Sequence, residues 1–437
     1  MRAAWMNDAW MSVTDWERAA AVYVPLTAAL IARVVHGRQP RQLAVSLLGV
    51  LWVMPALLAV QAMNSWAGWW SFAGDGAEFH GMPIECFVGW VLLWGLLPQL
   101  ACPRLAIGWL AAIMVAADLV VMPVCKPLVR LGPHWMLGEA FAVAVVLSPA
   151  LCVARWTSNS THLKARAALQ VATSGLLFLY LVPEIVFALR PGAGWGPLLR
   201  ADNWSRQIDI QLLLLTAVPG VSAAMEFAER GDGTPIPYDP PKRLVTSGMY
   251  RYCANPMQMS CAAVMLLWAG ILQNGWLILA AAMSAIYSAG IAHWDEKEDL
   301  GRRFGNDWRA YRAEVRNWRF RWTPYHSGTA ALIYIAANCG PCSELSSWLE
   351  ARSPVGLRVI DAEELPSGSI RRMRYDPADG SCTVEGVRAM GRAMEHLTFG
   401  WAVAGALLRM PGIWQGVQLL MDASGLGPRT LVTTIRG

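Results

Sequence analysis

Apolar and polar positions fall in long blocks along most of this chain. Apolar runs fill residues 19–292, and charged positions gather in the short stretches between them. Crossing a bilayer takes roughly 20 mostly apolar residues. Segments that meet or approach this requirement lie near 19–35, 43–63, 84–101, 104–125, 137–154, 167–189, 208–228, 257–272 and 276–292. The pattern predicts about nine spans. The last two are short and joined only by Gln273, Asn274 and Gly275, which fits a tight helical hairpin.

Past residue 325 the pattern changes. Residues 330–335 read as an apolar strand, 343–352 as a helix and 357–360 as a second strand. Residues 373–375 and 383–384 bracket a turn running from Asp376 through Pro377 to Gly380, a Pro- and Gly-marked hairpin signal. An apolar helical tail follows at about 402–420, broken at Met410, Pro411 and Gly412. The expected fold is mainly α: a polytopic helical membrane protein with a C-terminal α/β domain of thioredoxin-like order. Three segments are expected: a helical bundle over 1–204, a hairpin domain over 205–325 and the α/β domain with its tail over 326–437.

Composition agrees with a membrane protein. Hydrophobic residues make up 55% of the chain and charged residues 15%, against about 25% charged in soluble domains. The net charge of +5 calls for no nucleic-acid partner. Cytosolic loops collect Lys and Arg. Arg33, Arg38 and Arg41 flank one loop, Arg155, Lys164 and Arg166 a second, and Arg230, Lys242, Arg243 and Arg251 a third, whereas 64–83 carries none. Nine spans put these loops and the C-terminus in the cytosol and the N-terminus outside, with Arg190, Arg200 and Arg206 as the opposing loop. Asp8, Asp15 and Glu17 precede or open the first run, which reads as an anchor and not a cleaved signal. A bacterial inner membrane with a cytoplasmic C-terminal domain is the expected setting. Glu85, Asp118, Glu139 and Glu184 sit in or at the edge of spans, where acids are functional candidates. Glu85 and Glu139 read as interfacial, Asp118 and Glu184 as deeper, and His80 and His134 as ordinary loop histidines.

Two polar segments flank the predicted hairpin. The first carries Leu244, Val245, Gly248, Tyr250, Asn255 and Pro256; the second carries Glu296, Glu298, Leu300, Phe304, Gly305, Trp308 and Tyr311. Gly248 suits a close backbone approach or a positive φ, Pro256 the first turn of a helix, and Asn255 its N-cap. The first segment resembles the Leu-Val-x-x-Gly-x-Tyr and Asn-Pro run of the isoprenylcysteine carboxyl methyltransferase and phospholipid methyltransferase families. The second resembles their Glu-Glu-x-x-Leu and Phe-Gly run, and the likeness covers about residues 205–322. It implies an S-adenosylmethionine site holding Gly248, Tyr250, Asn255, Pro256, Gln258, Glu296 and Glu298. The acceptor implied is a membrane lipid or lipid-like carboxylate, thiol or amine. Ala254 and Gln258 stand where the families have Arg and Tyr, and Lys297 replaces the second acid. Arg251 is the candidate replacement for the missing Arg, and the tail aromatics Trp308 and Tyr311 are expected at the membrane interface.

Cys339-Gly340-Pro341-Cys342 lies between the first predicted strand and helix of the C-terminal part. A thiol at a helix start has a lowered pKa, because the helix N-terminus favours thiolate. Cys339 is the expected attacking thiol and Cys342 the resolving one, acting on a thiol or disulfide partner protein. A second CxxC or a His pair is missing, which argues against zinc. The region resembles the DCC family of thiol-disulfide oxidoreductases, which also ends in an apolar helical tail. The other seven cysteines read as small buried hydrophobes. The favoured function is S-adenosylmethionine-dependent methyl transfer with an appended redox domain; the alternatives are a membrane thiol-disulfide oxidoreductase with an inactive methyltransferase half and a non-catalytic membrane scaffold.

Overall fold

The computed structural model describes residues 13–36, 40–73, 76–126, 128–234, 239–287, 293–365, 369–428 and 431–432. Among them, seven helices are long and apolar enough to cross a membrane. They are α1 (Thr14–Val35), α2 (Arg41–Ala67), α3 (Ile84–Ala101), α4 (Ile107–Val124), α5 (Trp135–Ser158), α6 (Leu163–Leu189) and α7 (Asn203–Arg230). The expected count of nine is not reached among the described residues, where the last two expected spans are shorter apolar helices. α8 (Pro256–Ile271) has 16 residues and α9 (Trp276–Tyr287) has 12. At 1.5 Å per residue α8 reaches about 24 Å, below the ~30 Å hydrocarbon thickness, and α9 is described as far as Tyr287.

The chain divides into two compact units. One holds residues up to Ala193 plus Thr234–Pro240, and the other holds Gly194–Gly233 and everything from Pro241 onward. The expected hairpin and α/β segments therefore share one unit.

In the first unit, large side chains fill the helix interfaces, among them Trp52, Leu57, Trp94, Leu147 and Leu151. Where helices touch most closely the residues are small. A Cβ on Gly49 would meet the Gly95 carbonyl oxygen at 2.6 Å, so α2 and α3 pack backbone to backbone there. Wide π turns occur at Val91–Leu96, Val143–Leu147 and Leu177–Leu181. Each precedes a proline, at 98, 149 and 183. Proline lacks an N–H and crowds the carbonyl four residues back, and widening the turn relieves this. The Val145 carbonyl lies four before Pro149 and accepts instead from Trp52 Nε1 at 3.0 Å. Two small antiparallel pairs complete the unit: β1 (Trp70–Phe72) with β4 (Val129–Leu131), and β2 (Glu78–Phe79) with β3 (Met82–Pro83).

Three of the four candidate acids of this unit have partners the sequence hid. Glu85 pairs with Arg18 at 2.9 Å, and Asp118 accepts from Trp94 Nε1 at 2.9 Å. His80 is no isolated loop histidine: its Nε2 lies 2.8 Å from Glu184 Oε2. Glu139 is buried near the start of α5, with Oε1 lacking a hydrogen-bond partner among the described residues.

The second unit begins with α7. The hairpin α8–α9 follows, then α10 (His293–Glu314), which is interrupted at Gly305 (φ 52°, ψ −119°). The α/β part holds β5 (Ala331–Ile335), α11 (Gly340–Glu350), β6 (Leu357–Asp361), β7 (Ser369–Ile370), β8 (Arg374–Asp376) and β9 (Val384–Glu385). After these come α12 (Val387–Met394), α13 (Phe399–Leu408), α14 (Ile413–Met421) and β10 (Leu431–Val432), which pairs with β7. Four strands form one sheet in the order β6-β5-β8-β9. β5 and β6 are parallel, with Ile333 opposite Val359, and need α11 as a crossover. β8 and β9 add on antiparallel, with Tyr375 opposite Ile333 and Val384. Alternate residues of a strand face opposite sides. Ala331, Ile333 and Ile335 pack with Leu349 of α11 and Ala389 and Ala393 of α12. Tyr334 packs on the other face with Ala362, Leu365 and Ile370.

One buried ion network joins α7 to this α/β part. The Glu226 side chain is 0% exposed, and Arg392 and Arg409 are 3% and 5% exposed. Glu226 contacts Arg230 at 3.3 Å, Arg409 at 3.1 Å and Arg392, and accepts from Ser247 Oγ at 2.7 Å. Arg392 also meets Glu229 at 2.9 Å and Glu395 at 3.3 Å, and Arg409 pairs with Glu395. Arg388 and Asp379 complete the set through Glu229 at 3.6 Å and Arg230 at 2.8 Å. Glu226, Glu229, Glu395 and Asp379 thus balance Arg230, Arg388, Arg392 and Arg409. Helical spacing makes this possible: 226, 229 and 230 share one face of α7, and 388 and 392 share one face of α12. Removing one member of a buried pair leaves an uncompensated charge and costs about 3–5 kcal/mol. Glu226→Gln is therefore expected to lower the stability of the second unit by that order, with a clear drop in thermal midpoint. Circular dichroism of the detergent-solubilised protein checks this, and an unchanged midpoint contradicts it.

Candidate functional site

The two segments flanking the hairpin do meet. Tyr311 of α10 donates from its hydroxyl to the Tyr250 carbonyl at 2.8 Å. Trp308, Tyr311, Val315 and Tyr325 form a buried cluster against Leu244, Ala254, Leu300 and Phe304. Trp308 and Tyr311 are thus core residues and not interfacial aromatics. Their rings are taken up by the first segment, and the Ala254 N–H donates to the Arg316 carbonyl at 3.2 Å. The exposed aromatics in this stretch are Phe320 and Trp322.

Gly248 opens the 3-10 turn Gly248–Arg251 with φ 59°. A Cβ there would lie 2.8 Å from Glu226 Cγ, so this position needs glycine for both its backbone and its space. It is packed against the ion network. Tyr250 is buried, and its ring stacks on Phe227 with centroids 5.1 Å apart and planes 4° apart. Pro256 occupies the first position of α8. Asn255 does not cap that helix through its side chain. Its Nδ2 donates to Gln258 Oε1 at 2.6 Å, so two residues of the expected donor site form a buried-edge amide pair. Glu296 and Glu298 lie on α10, and their side chains fall outside the described residues. Arg251 is not joined to Asn255 or Gln258 by any described contact. Its Nη1 donates to the Tyr325 carbonyl at 3.2 Å, and it lines a different cleft with Tyr375 and Asp379.

The second group of candidate residues is at the end of β5. Cys339 is the extended residue before α11, and Cys342 lies in the first turn. The two are joined as a disulfide with Cα atoms 5.1 Å apart. Both are partly exposed. The N–H groups of Cys342 and Ser343 each donate to the Cys339 carbonyl at 2.9 Å, which fixes the turn. Glu363 anchors the approach to Cys339 from the end of β6: the Ala337 N–H donates to its Oε2 at 3.1 Å. Burial pushes the Glu363 carboxyl up, but the backbone bonds from Ala337 and Asn338 prevail and hold it below its usual range. Trp348 of α11 meets Trp401 of α13 edge to face at 4.9 Å, and Arg352 lies 4.1 Å over the Trp348 ring. Seven cysteines are free: Cys86 and Cys253 are buried, and Cys382 is exposed.

Comparisons with protein-family models, with curated proteins and with solved structures returned no match for this chain.

Sequence reasoning missed Glu226, Glu363, Asp379, Arg392, Glu395 and Arg409. Glu226 carried a usable signal, an acid inside an apolar run. Arg409 carried the same kind of signal, a charge inside the apolar tail, and the roles of the others come from contacts across the fold.

Proposed function

We propose that this chain is an integral membrane thiol-disulfide oxidoreductase whose redox centre is Cys339–Cys342. The observation that carries the reading is a bonded CxxC pair at the start of α11, directly after the central strand β5. The β6-β5-β8-β9 order resembles that of thioredoxin-like domains. In the reduced form the Cys339 thiolate attacks a sulfur of a partner protein's disulfide, forming a mixed disulfide and releasing one partner thiolate. The Cys342 thiolate then attacks Cys339 Sγ, closing the Cys339–Cys342 bond and releasing the second thiolate. Two electrons pass to the partner, and the Cys339–Cys342 disulfide is the oxidised product of the step. The helix N-terminus favours thiolate at Cys339. Seven spans keep the odd parity expected for nine, because a short hairpin returns to its own side. The N-terminus then lies outside and the α/β domain in the cytosol of a bacterial inner membrane, where reductants recycle the pair.

In a Cys382→Ser background, reduced Cys339 should alkylate faster at neutral pH than a free cysteine, with Cys342 protected. Cys342→Ser should accumulate a mixed disulfide, and Cys339→Ser should abolish exchange. Equal, slow labelling of both thiols in folded protein contradicts the reading.

A second reading is methyl transfer to a membrane-soluble carboxylate, thiol or amine, favoured by the convergence of the two hairpin-flanking segments at Tyr250 and Tyr311. The polar Asn255–Gln258 pair beside Pro256 suits a polar donor, with Glu296 and Glu298 on the facing helix. Bound S-adenosylmethionine would supply the methyl group. The chain's own task is to orient donor and acceptor in line and exclude water. Calorimetry should detect donor binding, weakened about 1–3 kcal/mol by Glu296→Ala if that carboxylate accepts a buried hydrogen bond. No binding to folded protein removes this second activity and leaves the redox reading standing.

A further inference from the structure

A cleft of about 130 Å³ lies in the second unit, lined by Arg230, Arg251, His326, Thr246, Thr329 and Asp379 among others. This space is enough for one phosphoryl group. Two arginines, a histidine and two threonines line it beside one acid, Asp379, and His326 Nε2 lies 3.0 Å from the Gly328 carbonyl. Arg230 already serves Glu226 and Asp379. Arg251 differs. Among the described residues its buried Nε–H has no acceptor. Its one described hydrogen bond goes to the Tyr325 carbonyl. A buried N–H without an acceptor costs free energy, and buried donors are rarely left so.

The neighbours report the same positive field. His396 is buried, with Tyr375 Oη 2.9 Å from its Nε2 and the Val355 carbonyl 2.8 Å from Nδ1. Burial first, then the charges of Arg251, Arg230 and His326, hold it well below the ordinary histidine value. Burial raises the Tyr375 phenol, and Arg251 opposes the shift. Against burial, Arg230 holds the Asp379 carboxyl below its usual range, so it stays charged and competes for that arginine.

We infer that this cleft is an oxyanion site that takes a phosphate monoester, with Arg251 as its principal ligand. Guanidinium forks match phosphate oxygens and are rarely neutralised, and the threonine hydroxyls supply further donors. The phosphate arrives either free in solution or as a lipid headgroup, because Arg230 ends a helix long enough to cross the membrane. The inference is independent of both activities proposed above.

The test is calorimetry on the full-length protein in detergent with two probes, inorganic phosphate and dihexanoyl phosphatidic acid. Saturable binding of inorganic phosphate assigns a soluble ligand, and binding of the lipid alone assigns a headgroup. Binding of neither overturns the site. Arg251→Gln should weaken binding about tenfold or more, as loss of a charged hydrogen bond does. Unchanged affinity in a variant with a wild-type melting temperature overturns the assignment. Should Arg251→Gln unfold the protein, Asp379→Asn decides. It removes the competing carboxylate, so affinity should rise several-fold, and equal or weaker binding contradicts the site.

Discussion

A carboxylate with no solvent exposure, surrounded by three guanidiniums, organises the second half of this molecule. Glu226 lies in the last turn of α7, yet its partners Arg392 and Arg409 come from 166 and 183 residues later. Desolvating these groups is costly, and only full pairing offsets it. Every neighbour accordingly has a fixed place. Ser247 donates to the carboxylate, Gly248 leaves room for it, and Glu395 takes the free sides of both arginines. The Gly-x-Tyr run thus turns where it does because a buried acid stands beside it.

The candidate chemistry hangs on that anchor. Tyr252, two residues past Tyr250, places its Oη 3.0 Å from the carbonyls of Glu395 and Leu397. The same stretch between α12 and α13 binds the sheet, because His396 meets Tyr375 of β8 and the Val355 carbonyl just before β6. The Trp348–Trp401 contact and Arg352 tie α11, which carries the thiols, to α13. The thiol pair and the hairpin segments are therefore parts of one body and not beads on a linker.

Local patterns carried most of what was legible in the sequence. The first seven apolar runs became helices near their predicted bounds, because length and apolarity are local properties. The strands, the CxxC helix and the break near Pro411 were readable for the same reason. Pro256 opened its helix as its missing N–H dictates, but Asn255 turned its amide to Gln258 instead of capping. Asn255 had two partners within four residues, and pattern does not rank them. Trp308 and Tyr311 looked interfacial until α10 laid them on Leu244 and Ala254. His80 and Glu184 are about a hundred positions apart in the chain, and no spacing rule connects them. The ion network links residues on either side of the boundary expected at 326. Long-range charge pairing leaves no periodic trace.

The central claim is that α7 and the α/β part unfold as one unit held by Glu226. Native-state hydrogen exchange on the reconstituted protein tests it most directly, since independent parts open with independent free energies. The account predicts that amides of Ile333 and Ile335 in β5 exchange through the same opening as those of Ala223 and Ala224 in α7, with one free energy and one denaturant dependence. Exchange of the β5 amides at a distinctly lower free energy, with α7 still protected, would contradict it and make the α/β part a separately folding appendage.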